Sequence, residues 1–182
     1  MQTDEQLVEQ ALRGDEQAFR VLVDRYQQKL LRFLRARCPA PADADDALQD
    51  AFLDAWRYLH SFDPRWRFST WLYRIAIRRA RRNDRGRTLP AVDIEIADDP
   101  LVHCIDDDER ENLWLLARQV LTADACTALW LHYVEDMPQK QVAMALQRSL
   151  PWTKVTLLRA RRRLKTALLK SNDKALAGKA YG

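Results

Sequence analysis

Between Phe19 and Leu34 the apolar residues return every three or four positions: Phe19, Leu22, Val23, Tyr26, Leu30, Phe33 and Leu34. That period places them on one stripe of a helix. Asp15, just after Gly14, supplies an N-cap, and the run Cys38, Pro39, Ala40, Pro41 closes the segment. A second stripe, Ala47, Leu48, Ala51, Phe52, Ala55, Trp56 and Leu59, predicts a helix opening near Asp43. Its first turn holds acids, where the helix dipole favours them, and its opposite face is acidic. Residues 60–68 break both patterns: Pro64 disfavours helix at Asp63, and no apolar period runs through the segment. An exposed loop of aromatic and basic residues is expected there. Ser69 or Thr70 then caps a helix whose Trp71, Leu72, Ile75 and Ala76 face inward before it runs into a cluster of arginines.

The first folded region is therefore expected to span 1–87. From 88 to 108 the chain holds two prolines, many acids and scattered apolar residues, which reads as a flexible acidic linker. A second region, 109–170, begins with Leu113, Leu116, Ala117, Val120 and Leu121 at helical spacing, and Thr122 caps a following helix through Val134. Pro138 opens a short helix that continues to Leu146. A break at 147–150 precedes a long basic helix starting near Pro151. Short helix, tight turn and longer basic helix are the outline of a helix-turn-helix, whose second helix enters the DNA major groove. Residues 171–182 show no consistent period and are expected to form a disordered tail.

Composition sharpens this picture. Only 4 glycines and 7 prolines occur in 182 residues, so little of the chain suits tight β-turns, and an all-α fold of two small helical domains is expected. The acidic start lacks the basic-then-apolar order of a secretory signal, and no stretch approaches the ~18 apolar residues of a membrane span. A cytoplasmic protein without membrane insertion is expected. Cys38, Cys104 and Cys126 are widely spaced and read as structural thiols; no metal site or cofactor is expected. The net charge of +4 is unevenly spread. Arg78, Arg79, Arg81, Arg82, Arg85 and Arg87 crowd one decade, acids dominate 93–109, and Arg159, Arg161, Arg162, Arg163, Lys165 and Lys170 form a second basic block. Two cationic regions separated by an anionic one suggest two nucleic-acid contacts joined by a connector that avoids the same polyanion.

Three stretches together resemble the extracytoplasmic-function (ECF) group of the sigma-70 family of bacterial RNA polymerase sigma factors. The first, ADADDALQDAFLDAW at 42–56, is similar to the acidic helix with which these factors grip the clamp helices of the polymerase's largest subunit. The resemblance implies polymerase-binding roles for Asp45, Asp46, Gln49 and Asp50 as polar contacts and for Leu48 and Phe52 as apolar ones. Matched charge suits an acidic face to a basic protein surface rather than to DNA. The second stretch, FDPRWRFSTWLYRIA at 62–76, resembles the segment that captures the unstacked strand of the −10 element. Strand capture needs planar side chains for bases and cations for phosphates, roles implied for Trp66 and Phe68 and for Arg65 and Arg67. Trp71 and Tyr73 are expected in the core. Arg78, Arg79, Arg81 and Arg82 would lie near the duplex edge of the same element.

The third stretch, LQRSLPWTKVTLLRARRRL at 146–164, is similar to the family's turn and −35 recognition helix. Arg148, Trp152, Lys154, Thr156, Arg159 and Arg163 are its implied DNA contacts, with Leu157, Ala160, Leu164 and Ala167 on the buried face. It departs from the family at Gln147 and Pro151, where glycine is usual, and at Thr153, where an aliphatic residue is usual. The resemblance implies a region 2-like bundle and a region 4-like helix-turn-helix. Its partners would be core RNA polymerase, promoter DNA and an anti-sigma factor, with the acidic linker lying near the RNA exit channel. It implies no catalytic residue. Isolated His60, His103 and His132, and the lack of a glycine-rich phosphate loop, argue against an enzyme. A stand-alone helix-turn-helix regulator that never touches polymerase is the alternative, but it has no need of the acidic helix and the aromatic loop.

Overall fold

The computed structural model of the chain describes residues 2–38, 40–83 and 107–179, the side chains of 82–83, 107–112 and 171–179 excepted. Among the described residues all regular structure is helical. The chain divides into two compact units, Met1–Arg87 with Lys140–Ser149, and Thr88–Gln139 with Leu150–Gly182. The expected linker at 88–108 lies almost wholly outside the described residues, as do Arg85, Arg87, His103 and Cys104.

The first unit opens with α1, Asp4–Leu12, which the apolar pattern had not flagged. A capping box starts it: the Thr3 hydroxyl accepts from the Gln6 backbone N–H, and the Gln6 side chain accepts from the Thr3 N–H. Leu7, Val8 and Ala11 are its buried face. Gly14, at φ +98, makes the turn that no β-carbon tolerates well, and Asp15 then caps α2, Glu16–Arg37, by accepting from the N–H groups of Gln17 and Ala18. The Asp4 carboxylate accepts from both the Arg25 guanidinium and the Tyr26 hydroxyl, tying α1 to α2. Burial first, then the bond to Asp4, raises the Tyr26 phenol well above its ordinary pKa.

Helix α3, Pro41–Arg57, is followed by one turn of 3₁₀ helix at Leu59–Ser61, and α4 runs Phe68–Asn83. Pro41 stands in the first turn of α3, where its missing N–H costs nothing. Because α4 begins at Phe68, Ser69 and Thr70 sit inside its first turn rather than capping it. α3 packs against both α2 and α4. Leu22, Leu30, Phe33, Leu34, Leu72, Tyr73 and Ile77 fill the centre, each fully buried. Burial of a large apolar side chain stabilises by about 1.5–3 kcal/mol.

Helix α7, Gln139–Leu146, follows Pro138, and it belongs to this unit from Lys140 on, together with the turn 147–149. The Thr70 hydroxyl donates to the Gln141 side-chain oxygen at 2.9 Å, and the Lys140 ammonium stands 5.8 Å from the centre of the Trp66 ring.

The second unit contains α5, Asp107–Val120, α6, Ala123–Tyr133, and α8, Leu150–Lys179. Thr122 caps α6 through the Ala125 N–H. α8 packs on α5 and α6, with Thr153, Leu157 and Ala160 buried and Trp114 meeting Trp130 at 4.7 Å between ring centres. Cys126 Sγ donates to the Ala117 carbonyl, and Cys38 is buried in the first unit. α8 continues to Lys179, so the helix extends through most of the segment expected as a disordered tail. Ala, Leu and Lys there have high helix propensity and no proline intervenes, so the backbone stays helical without an apolar period.

Candidate functional site

The stripe read from the sequence along α3 is split: its alanines pack inward, as does Leu59 just beyond the helix, and its larger side chains do not. Ala44, Ala47, Ala51, Asp54 and Ala55 are buried, whereas Leu48 and Phe52 are half-buried and Trp56 is exposed. Four alanines let α2 and α4 approach closely, which rotates the larger side chains out to the flank. There Phe19, Val23, Leu48, Phe52, Leu53 and Trp56 line an open groove of about 400 Å³. The Phe19 and Trp56 rings meet at 4.9 Å. Asp45 and Gln49 join Leu48 and Phe52 in lining the groove, and Asp46 and Asp50 stand exposed on the same helix, Asp50 on the side of Arg79. Asp45 makes a loose solvent-exposed pair with Arg35 at 3.6 Å.

The loop 62–67 is held from beneath by aromatic rings. Phe62 and Phe68 meet edge-on at 5.9 Å, Phe62 and Trp71 at 5.7 Å, and Tyr26 and Phe68 at 5.7 Å. Phe68 is 0% exposed. This corrects its expected place among the strand-capturing residues: as the first residue of α4 its ring points into the core and offers no face to a base. Trp66 is half-buried, and Arg65 and Arg67 are exposed. Asp63 shapes the loop by accepting from the Arg65 backbone N–H at 3.0 Å and from the Arg65 guanidinium at 2.6 Å. The Arg65 side chain and backbone hold the Asp63 carboxyl below its ordinary pKa.

The arginines of α4 divide into different roles. Arg79 is turned inward, its side chain 19% exposed. It donates from Nε to Asp54 Oδ2 at 2.7 Å, pairs through Nη2 with Asp54 Oδ1, and reaches Asp50 Oδ2 from Nη1 at 3.2 Å. The expectation of Arg79 as a DNA contact is corrected accordingly, because its donors are committed to two carboxylates. Arg78 is exposed and gives Nη2 to Asp54 Oδ2 at 3.2 Å. Arg81 is half-buried, and Arg82 lies on α4 with its side chain outside the described residues.

The Arg79 hydrogen bond is the main reason that Asp54 is held below the ordinary carboxylate value of about 3.8. A depressed folded pKa confers stability above the unfolded value, and that stability is lost as pH falls through the folded one. The Asp54 contribution is therefore expected to be intact above pH 3.8 and to decay below it. Helical circular dichroism against pH checks this, and Asp54→Asn should flatten the acid limb. An unaltered limb in that variant would assign acid unfolding to other carboxylates.

In the second basic block, Lys154, Arg159 and Arg163 are exposed on α8, Trp152 and Thr156 are half-buried, and Arg148 is exposed in the turn before it. Trp152, Thr156, Arg159 and Arg163 recur at three- and four-residue steps, so one face of α8 carries them. Gln147 adopts φ +57, the left-handed conformation for which glycine is best suited, so the turn keeps its form without the glycine. Thr153 occupies its apolar position fully buried. Among the described residues no group of His, Cys, Asp and Glu is arranged to hold a metal, and no helix is long and apolar enough to cross a membrane.

The family model for sigma-70 region 2 matches residues 22–88. The RNA polymerase sigma-H factor of Pseudomonas aeruginosa is 33% identical over 180 residues, spanning 91% of this chain and 93% of its own. The ECF RNA polymerase sigma-E factor of Haemophilus influenzae is 34% identical over 174 residues, spanning 87% and 92%. Among solved structures, CnrH in complex with the cytosolic domain of CnrY superposes with a TM-score of 0.72 at 27% identity, covering 92% of this chain and 97% of CnrH. Identity at that level across nearly the whole of both chains, together with the shared fold, places the protein: it belongs to the ECF group of the sigma-70 family, the RNA polymerase sigma factors that direct transcription initiation.

Proposed function

We propose that this sigma factor docks on core RNA polymerase through the acidic surface of α3, takes up the −10 element with the loop 62–67 and α4, and reads the −35 element with α8. The exposed row Asp45, Asp46, Gln49 and Asp50 beside an apolar groove carries the reading. Exposed carboxylates repel a polyanion and orient a basic protein helix, while Leu48 and Phe52 give that helix apolar surface to bury. On the loop, Trp66 supplies a planar face for an unstacked base, and Arg65 and Arg67 supply phosphate contacts. Arg78, Arg81 and Arg82 of α4 lie toward the duplex edge, where neutralised phosphates give affinity. Trp152, Lys154, Thr156, Arg159 and Arg163 of α8 form the −35 surface, and Arg148 is a further DNA contact.

The two DNA-binding regions, 1–87 and 109–170, would be joined by the acidic segment 88–108, whose charge suits a path near the RNA exit channel. The site of action is the cytoplasm, where polymerase and promoter are. An anti-sigma factor is the third partner, a reading supported by CnrH, whose structure is a complex with the cytosolic domain of CnrY. Bond-making stays with the polymerase, and promoter opening is binding energy applied to DNA deformation.

Sizing chromatography of the purified protein with sigma-free core polymerase tests the polymerase arm. A stoichiometric complex that the housekeeping sigma displaces is expected. Its absence, with the protein folded, would leave α8 as the DNA-binding surface of a regulator independent of polymerase.

A further inference from the structure

The carboxylate of Asp54 has no place in the functions assigned to its helix. It sits on α3 among acids that face solvent, yet it is 1% exposed. Its two oxygens are shared unequally. Arg79 takes both, through Nε and Nη2, and is itself anchored on the far side by Asp50. Oδ2 also accepts from Nη2 of Arg78, whose side chain remains 61% exposed. A forked, two-point bond fixes a carboxylate in orientation as well as position, so Asp54 is a rigid acceptor. Arg78 is attached to it by one edge while the rest of its guanidinium stands in solvent.

We propose that Asp54 is a positioning residue for promoter binding: braced by Arg79, it holds the exposed Arg78 guanidinium in one orientation on the α4 surface. This rests on the reading of α4 as part of the −10 surface. A long basic side chain loses rotamer freedom when it binds a phosphate, and a side chain already ordered has less to lose. Ordering one such side chain beforehand is worth about three- to tenfold in affinity.

A double-mutant cycle separates positioning from mere stability. Asp54→Leu with Arg79→Leu removes one charge of each sign, so net charge is unchanged, and replacing a buried ion pair with apolar residues tends to preserve the fold. Holoenzyme is formed with saturating core polymerase, and its affinity is measured for a DNA fragment selected from a random pool by the wild-type holoenzyme. Arg78→Gln is expected to weaken binding about tenfold in the wild-type background. In the paired-leucine background its cost should be at least threefold smaller. If the leucine pair fails to melt cooperatively, Asp54→Ala with Arg79→Met serves for the same comparison. Equal costs in the two backgrounds would overturn the positioning role. No cost in the wild-type background would instead remove Arg78 from the DNA surface and overturn the reading on which the role depends.

Discussion

Asp45→Lys with Asp46→Lys is expected to weaken binding to core polymerase at least about a hundredfold, with the helical spectrum and melting temperature unchanged. Both side chains are exposed on α3, and the Asp45 pair with Arg35 is long and solvated. A surface pair of that kind contributes about 0–1 kcal/mol, so the fold loses little. The interface loses much more. Each reversal replaces attraction to a basic partner helix with repulsion, and like-charge contacts cost several kcal/mol, while about 2.8 kcal/mol already corresponds to a hundredfold. Asp50 is left out of the variant because a lysine there would stand against Arg79 and disturb the fold. Asp45→Asn with Asp46→Asn should lose less, since it removes attraction without adding repulsion. Titration of labelled sigma with core polymerase measures both. Unchanged affinity in the lysine variant would remove this face from the polymerase interface.

The legibility of these features in the sequence differed with their range. The aromatic and basic loop and the caps at Asp15 and Thr122 depend on neighbours within a few positions, and the structure has them where the pattern indicated. α1 is just as local, and its signal was present: Thr3 and Gln6 form the capping box and Leu7, Val8 and Ala11 share a face. Nine residues hold too few periods for the stripe to stand out. On α3 the apolar period joined alanines and large side chains in one stripe, while the fold buried the alanines and placed Leu48, Phe52 and Trp56 on the groove.

Long-range pairing was illegible for a physical reason. Asp54 shares its sequence context with exposed acids, and only arginines 24 and 25 residues away make it a core residue. No period encodes that. Arg79 is hidden by the same fact, because a run of arginines looks uniformly solvated until one of them finds a buried carboxylate. Phe68 shows the converse, since a ring in a basic loop motif reads as a base-stacking group until the first turn of α4 carries it inward.

Phe68 and Trp66 are two residues apart and should fail in opposite ways. Phe68→Ala is expected to destabilise the first unit by about 3–5 kcal/mol, the cost of emptying a phenylalanine site in a packed core. At about 4 °C per kcal/mol for a domain of this size, melting should fall by at least about 12 °C. The cavity would open among Tyr26, Phe62 and Trp71, whose rings meet the Phe68 ring at 5.7–5.9 Å, so collapse onto it would require moving several side chains at once. Trp66→Ala, at a half-buried loop position, should shift melting by only a few degrees. Its loss belongs to the DNA: a base–aromatic stack is worth about 1–3 kcal/mol, so promoter opening should fall roughly 5- to 150-fold at unchanged core affinity. Differential scanning calorimetry and permanganate footprinting of the holoenzyme on promoter DNA read the two effects separately. Normal opening by the Trp66 variant would leave strand capture to the arginines of the loop. A Phe68 variant that melts normally yet opens poorly would put that ring back among the groups that meet the bases, and would mean that the loop rearranges when DNA arrives.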